Sequence, residues 1–297
     1  MRLQLRITAL LLGFVLTCVN MASAVDIYVL SNNDIYDSSS NTSFGKIDST
    51  TGAFSQVGLV SILPNTENLA WNPNASNFFV TEGKSTATTL RTLTTDGTLS
   101  SQIGSPIGKT IYGMAYRTSD STLYGYDYGT DETGTISPTG GGFTLLNLFP
   151  GVSSNIPIGG RYSIMNDTMY FAFNDNANGA GFGTIGYSAS STLQTITSNA
   201  LYQDMVLAND GTTMYGIAGN STSGQQRLYT IDVATGTLTS GPLITGTAFD
   251  RDSGLGLGTY FHGAGIVPVP EPSTYALAAI ATGVMAAIAR RRKARKA

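Results

Sequence analysis

The sequence is short of the residues on which most enzymatic chemistry depends. It has one cysteine, Cys18, and one histidine, His262. Cys18 falls within an N-terminal stretch that reads as a cleaved leader, so the chain beyond it has no thiol for a disulfide, a nucleophile or a metal ligand. A lone histidine excludes a multi-histidine zinc site and a Cys-His pair. A Ser-His-Asp triad would need His262 as its base, yet no serine stands in a Gly-x-Ser-x-Gly turn; a loop or strand-end position accounts for His262. Charge is scarce too, at 12% of residues, and only Glu67, Glu82 and Glu132 are glutamates between Val25 and Val267. No window in that stretch repeats apolar residues at i, i+3, i+4 and i+7, which argues against helices.

The sequence is instead rich in glycine, with 35 residues, and in Ser, Thr and Asn. That balance suits many short strands joined by tight turns. The charges present are unevenly placed. Val25 to Val267 holds three Lys and five Arg against fifteen Asp and three Glu, a formal charge of −10, whereas the whole chain carries −3. A domain this acidic repels nucleic acid and anionic lipid.

The middle of the chain repeats. Leu69-Ala70-Trp71 is followed by Phe78-Phe79-Val80, Met114-Ala115-Tyr116 by Leu123-Tyr124-Gly125, and Met205-Val206-Leu207 by Met214-Tyr215-Gly216. In each, nine residues separate the central positions; Tyr162-Ser163-Ile164 with Met169-Tyr170-Phe171 is two residues shorter. Each pair reads as two apolar strands about a polar turn. A second hairpin follows in each unit, clearest at Phe44–Phe54 and Leu228–Leu238, where Asp48 to Gly52 and Asp232 to Gly236 share an Asp-x-x-Thr-Gly turn. Taking Ala70, Ala115, Ser163, Val206 and Ala248 as equivalent gives spacings of 45, 48, 43 and 42 residues. Two hairpins at that period form a four-stranded blade of a β-propeller. The expected fold is therefore all-β, a propeller of about five four-stranded blades over residues 25–267.

Asp26 to Leu30 looks like the second strand of a blade whose first strand is missing, and Gly246 to Phe249 with Gly254 to Leu257 looks like the missing piece. Pairing the two would close the ring and remove exposed sheet edges. The repeat is similar to that of secreted bacterial propellers with Leu-Tyr-x-Ile-Asp strands and Thr-Gly turns, over about Asp26 to His262; the resemblance implies a fold, not an activity.

Residues 1–24 have the layout of a signal peptide: Arg2 and Arg6, an apolar run from Ile7 to Val19, and a small-residue cleavage site at Ala22-Ser23-Ala24, with Ala22 and Ala24 read by signal peptidase. A retained membrane helix and a lipoprotein signal at Cys18 are the alternatives; Thr17 stands where the latter wants Gly or Ala.

Residues 268–297 carry a second signal. Pro268, Pro270 and Pro272 hold the approach extended, Tyr275 to Ala289 carries no charge, and Arg290, Arg291, Arg292, Lys293, Arg295 and Lys296 close the chain. The expected transmembrane helix, 275–289, would span about 22 Å at 1.5 Å per residue, short of a bilayer core of about 30 Å. The basic cluster 290–296 places its C-terminus in the cytoplasm, and so the propeller outside. The order of Pro270-Glu271-Pro272, apolar helix and Arg-rich end closely resembles the PEP-CTERM sorting signal. That resemblance implies an exosortase-type membrane protease as partner, passage through the inner membrane, and delivery to the cell surface of an exopolysaccharide-making Gram-negative bacterium. A permanent tail anchor is the alternative.

Chemistry is sparse between the two signals. Glu67, Glu82 and Glu132 with Asp127 are the carboxylates from which a glycan hydrolase would be built. Asp127 to Glu132 and Asn174 to Gly179 place oxygen ligands at calcium-like spacing, without the glutamate that completes an EF-hand loop. Ordinary polar loops explain both runs, and no cofactor is expected. The aromatic residues, Trp71 among them, fall on strand positions that suit packing. The reading that follows is a non-enzymatic matrix or surface protein that binds polysaccharide or another envelope protein; the rival is a secreted glycan hydrolase or lyase on the same fold.

Overall fold

A computed structural model of the chain describes residues 24–267, apart from 33–41, 61–65, 84–87, 149–160, 176–178, 203–204, 220–225, 247–259 and positions 128, 131, 189, 190 and 192. The leader up to Ser23, the helix expected at 275–289, the Pro270-Glu271-Pro272 motif and the basic cluster lie outside the described residues.

Val25–Val267 forms one compact unit. Its strands fall into five antiparallel sheets, each built mainly from consecutive strands. The first blade holds β1 (Asp26–Asn32), β2 (Thr42–Asp48) and β3 (Phe54–Val60). The second holds β4 (Thr66–Asn72), β5 (Asn77–Glu82) and β6 (Thr89–Leu93). The third runs β7 (Ile111–Arg117), β8 (Thr122–Asp127), β9 (Glu132–Ser137) and β10 (Gly141–Leu148). The fourth runs β11 (Arg161–Met165), β12 (Thr168–Asp175), β13 (Gly179–Ile185) and β14 (Gln194–Ser198). The fifth runs β15 (Val206–Asn209), β16 (Met214–Gly219), β17 (Gln226–Asp232) and β18 (Thr237–Leu243). The last strand, β19 (Tyr260–Ile266), returns to pair with β1.

This is a five-bladed β-propeller closed by its own ends. β19 is the innermost strand of the first blade, with Ile27 opposite Ile266 and Val29 opposite Ala264. Closure between N- and C-terminal strands thus holds in kind, but Gly246 to Phe249 is not the closing strand. Gly246 belongs to the exit from the fifth blade, and residues 247–249 and 254–257 lie outside the described residues. The next inner strand begins at Tyr260, later than the period suggests. Phe261, Ala264 and Ile266 of β19 join the core there.

Two local readings change as well. Tyr215 lies opposite Ala208, not Val206, so the β15–β16 hairpin is as tight as that of Ser163 and Tyr170. In the second blade the fourth strand is reduced to bridges from Leu99 to Leu93 and from Ile103 to Leu90. There the Ser100 hydroxyl accepts from the Thr92 amide at 2.8 Å, a side chain in place of a ladder bond.

Among the described residues the core is not one mass but five clusters, each between neighbouring blades. Leu30 and Phe44 meet Leu69 and Phe78 between the first two blades, and Tyr126 meets Tyr162 and Phe171 between the third and fourth. Ile27 and Val29 meet Val206 and Ile217 where the fifth blade closes on the first. A second strand such as β5 is covered on both faces, which is why Phe78, Phe79 and Val80 run without alternation.

The outer rim is tied by backbone. Phe54 N donates to Thr245 O at 2.7 Å and Thr245 N to Gly52 O at 3.0 Å, joining the exit of the fifth blade to the Asp-x-x-Thr-Gly turn of the first. In that turn the Asp48 carboxylate accepts the amides of Thr50 and Thr51, and Gly52 takes φ +73°. A Cβ on Gly52 would stand 2.1 Å from Leu243 O. Gly52→Ala should therefore destabilise the domain by on the order of 2–4 kcal/mol, from left-handed strain plus overpacking, readable in a urea melt.

Candidate functional site

Three places in the described residues gather polar side chains: the charged group at the β8–β9 connection, an arginine between the third and fourth blades, and the axis of the ring.

At the β8–β9 connection, antiparallel pairing sets Asp127 opposite Glu132. Two of the four carboxylates from which hydrolysis would be built therefore do come together. Lys109 closes on both, with Nζ 2.5 Å from Glu132 and 3.2 Å from Asp127, and lies over the Phe143 ring. Its bond to Glu132 raises the ammonium pKa above the usual lysine range, so the cation persists. Asp127 is buried and accepts from the Thr110 amide (2.9 Å), the Gly129 amide (3.1 Å) and the Thr130 hydroxyl (2.6 Å). Those bonds organise the connection and hold the carboxylate. Glu82 is paired instead with Arg91 at 2.7 Å. The side chain of Glu67 lies outside the described residues. The Asn174 to Gly179 run has its central residues outside them too, and no group of three or more His, Cys, Asp or Glu that could hold a metal occurs among the described residues.

His262 lies within β19, not in a loop. Leu30 pairs with Gly263 and Ser31 with Phe261, which leaves His262 as the extra residue of a β-bulge.

Arg117 ends β7 and forks onto Asp167 in the β11–β12 turn, at 2.7 and 2.6 Å, with Asp120 at 3.0 Å. Its guanidinium lies 3.9 Å from the centre of the Tyr187 ring. The pair crosses a blade boundary that sequence reading left unmarked, since Arg117 and Asp167 are 50 residues apart. The arginine and the Ser119 hydroxyl hold the Asp167 carboxyl down at about 2. Asp48, bonded by the Thr51 amide, and Asp232, bonded by the Ala234 amide, are also held below the usual carboxylate range. A carboxylate with a lowered folded pKa contributes its full stability above the unfolded value and loses it as pH falls through the folded one. Stability should therefore hold from neutral pH down to about 4 and decline toward 2. Asp167→Asn should flatten that decline, read from melting temperature against pH.

On the axis, the inner strands β4, β7, β11, β15 and β19 line a cavity of about 10 Å³, bounded by Asn68, Leu69, Met114, Tyr162, Val206 and Gly263, among others. That is room for about one water molecule. A sugar ring does not fit. Tyr162 is buried, and burial raises its phenol well above the usual range.

Beyond Val267 the chain is known by its sequence. Residues 268–293 match the PEP-CTERM protein-sorting motif. The match takes in Pro270, Glu271 and Pro272 and the basic residues Arg290 to Lys293. PEP-CTERM marks the chain as exported, processed by an exosortase and sorted to the cell surface. No curated protein sequence matches the chain. Among solved structures it is similar to a chain of a nidogen/laminin complex, at 8% identity over 82% of this chain and 98% of that one, with a TM-score of 0.49. A protein of unknown function from Bacteroides caccae matches at 12% identity over 83% and 100%, with a TM-score of 0.49. A catalytically inactive virginiamycin B lyase from Staphylococcus aureus, solved with quinupristin, matches at 16% identity over 70% and 67%, with a TM-score of 0.40.

Proposed function

We propose that the PEP-CTERM propeller is a non-enzymatic binding or structural module of the cell envelope, delivered by its tail and associated with exopolysaccharide. The observation that carries this reading is the state of the carboxylates. Asp127 and Glu132 share Lys109, Glu82 holds Arg91, and the turn aspartates Asp48 and Asp232 cap their own turns. A glycosidase needs one carboxyl held neutral to donate a proton beside one left free to attack or activate water. Here both carboxylates contact the same Lys109 ammonium, so neither stands free beside the other.

Topology suggests which surface is free to bind. β1 begins and β19 ends beside each other, Ile27 opposite Ile266. Both flanking segments therefore join the ring at one end of its inner strands. Binding is assigned to the opposite end, where the second strand of each blade turns to the third.

The test is to incubate the secreted protein with exopolysaccharide from the producing cells, measuring retention on the polymer and new reducing ends together. Retention without new ends is expected. Release of reducing ends by the wild type, abolished by Glu132→Gln, would establish the hydrolase instead.

A further inference from the structure

Two residues that line the axial cavity each carry a buried polar atom with no hydrogen-bond partner. Asn68 is 2% exposed and Tyr162 4% exposed, and both Asn68 Oδ1 and the Tyr162 hydroxyl are unpartnered. The orientation of the Asn68 amide follows from its other contacts. Its Nδ2 donates to Thr81 Oγ1 and to the Ile111 carbonyl, both at 2.8 Å. A carbonyl can face only the nitrogen, so Oδ1 is the end left without a bond. Asn68 also sits at φ +59°, in an irregularity of β4 between Glu67 and Ala70. An asparagine held in a left-handed conformation at a bulge is a local distortion that the surrounding packing must maintain. That packing includes β19, where a Cβ on Gly263 would come within 2.7 Å of the Asn68 carbonyl carbon.

We propose that the cavity binds one water molecule, which donates a hydrogen bond to Asn68 Oδ1 and bonds the Tyr162 hydroxyl. An unpaired buried polar group is costly, and a cavity with polar walls and room for one probe meets the conditions for a buried water. Among the described residues, those that line the cavity include no carboxylate. Calcium takes six to eight oxygen ligands, more than the side chains of these residues supply. The water makes a connection that the direct contacts do not. Asn68 on the second blade already reaches the third through Ile111, and Tyr162 belongs to the fourth. One molecule on the axis therefore ties blades that are not neighbours, beside the strand that closes the ring.

The experiment uses the full chain in detergent and the substitution Tyr162→Phe, which removes only the hydroxyl. With the water in place, the variant deprives it of a partner, and the melting temperature should fall by about 2–4 °C. If the hydroxyl has no partner, its removal relieves a buried polar group, and the melting temperature rises or stays level; either result overturns the proposal. A high-resolution crystal structure should show one density peak within hydrogen-bond distance of both oxygens, and its absence overturns the proposal equally. A saturable rise in wild-type melting temperature with millimolar CaCl2 or KCl, lost in Tyr162→Phe, would identify a cation in place of water.

Discussion

Deleting residues 260–266 from the full chain should abolish cooperative unfolding and send the protein to aggregates. These residues are β19, which pairs along β1 through six positions and buries Phe261, Ala264 and Ile266 against the fifth blade. Without them the inner edge of β1 is unpaired and the walls of two blade interfaces are opened, since β19 touches both β4 and β15. An uncovered sheet edge is a template for association with another chain. The loss should exceed the 5–15 kcal/mol that typically holds a domain folded. Thermal melting with size-exclusion chromatography reads the result; a monomer with an unchanged melting curve would show that something other than β19 closes the ring. Deleting residues 247–249 tests the segment that the repeat period nominates. It should shift the curve far less, because Thr245 and Tyr260 remain to make the rim and closing contacts. A gentler probe is Gly263→Val. A side chain there meets Leu69 N at 2.6 Å and should cost on the order of 3 kcal/mol through strain at the axis.

The second large effect concerns delivery. Replacing Pro270, Glu271 and Pro272 by alanine leaves the apolar run and the basic end unchanged, so membrane insertion should persist while processing stops. Precursor should accumulate in the inner membrane, with little or no protein at the surface. Neutralising Arg290, Arg291, Arg292, Lys293, Arg295 and Lys296 acts on a different step. It removes the charges that keep the end of a short helix in the cytoplasm, and unprocessed chain should pass into the periplasm. Fractionation with mass spectrometry of the C-terminus separates the two. Surface protein that still ends at Ala297 would overturn processing and leave a permanent anchor.

The blade count, the hairpins and the Asp-x-x-Thr-Gly turns were legible in the sequence because they rest on local chemistry. Asp48 and Asp232 bond the amides two residues on, and Gly52 and Gly236 supply the positive φ. Such turns recur wherever the same few residues recur. The sorting segment was legible for a related reason: proline, an uncharged run and a basic end act through composition and order.

What the sequence could not decide depends on residues far apart in the chain. Gly246 to Phe249 and Phe261 to Ile266 are both short apolar segments, and periodicity alone favours the first. Selecting the second requires the ladder with β1, more than 200 positions earlier. The same holds at the β8–β9 connection. Asp127 and Glu132 could be named as carboxylates, but whether they act as acid and base or serve as ligands of Lys109 depends on where the exit from the second blade places that lysine. Asn68 and Tyr162 carried no signal at all, because nothing local distinguishes an asparagine with both amide hydrogens used and its oxygen free. The sequence by itself determined export, sorting and the blade as a unit; the tertiary structure decided which strand closes the ring, which charges neutralise one another and what lines the axis. Turn chemistry acts over four or five residues, whereas pairing and burial depend on which segments the closed ring brings together.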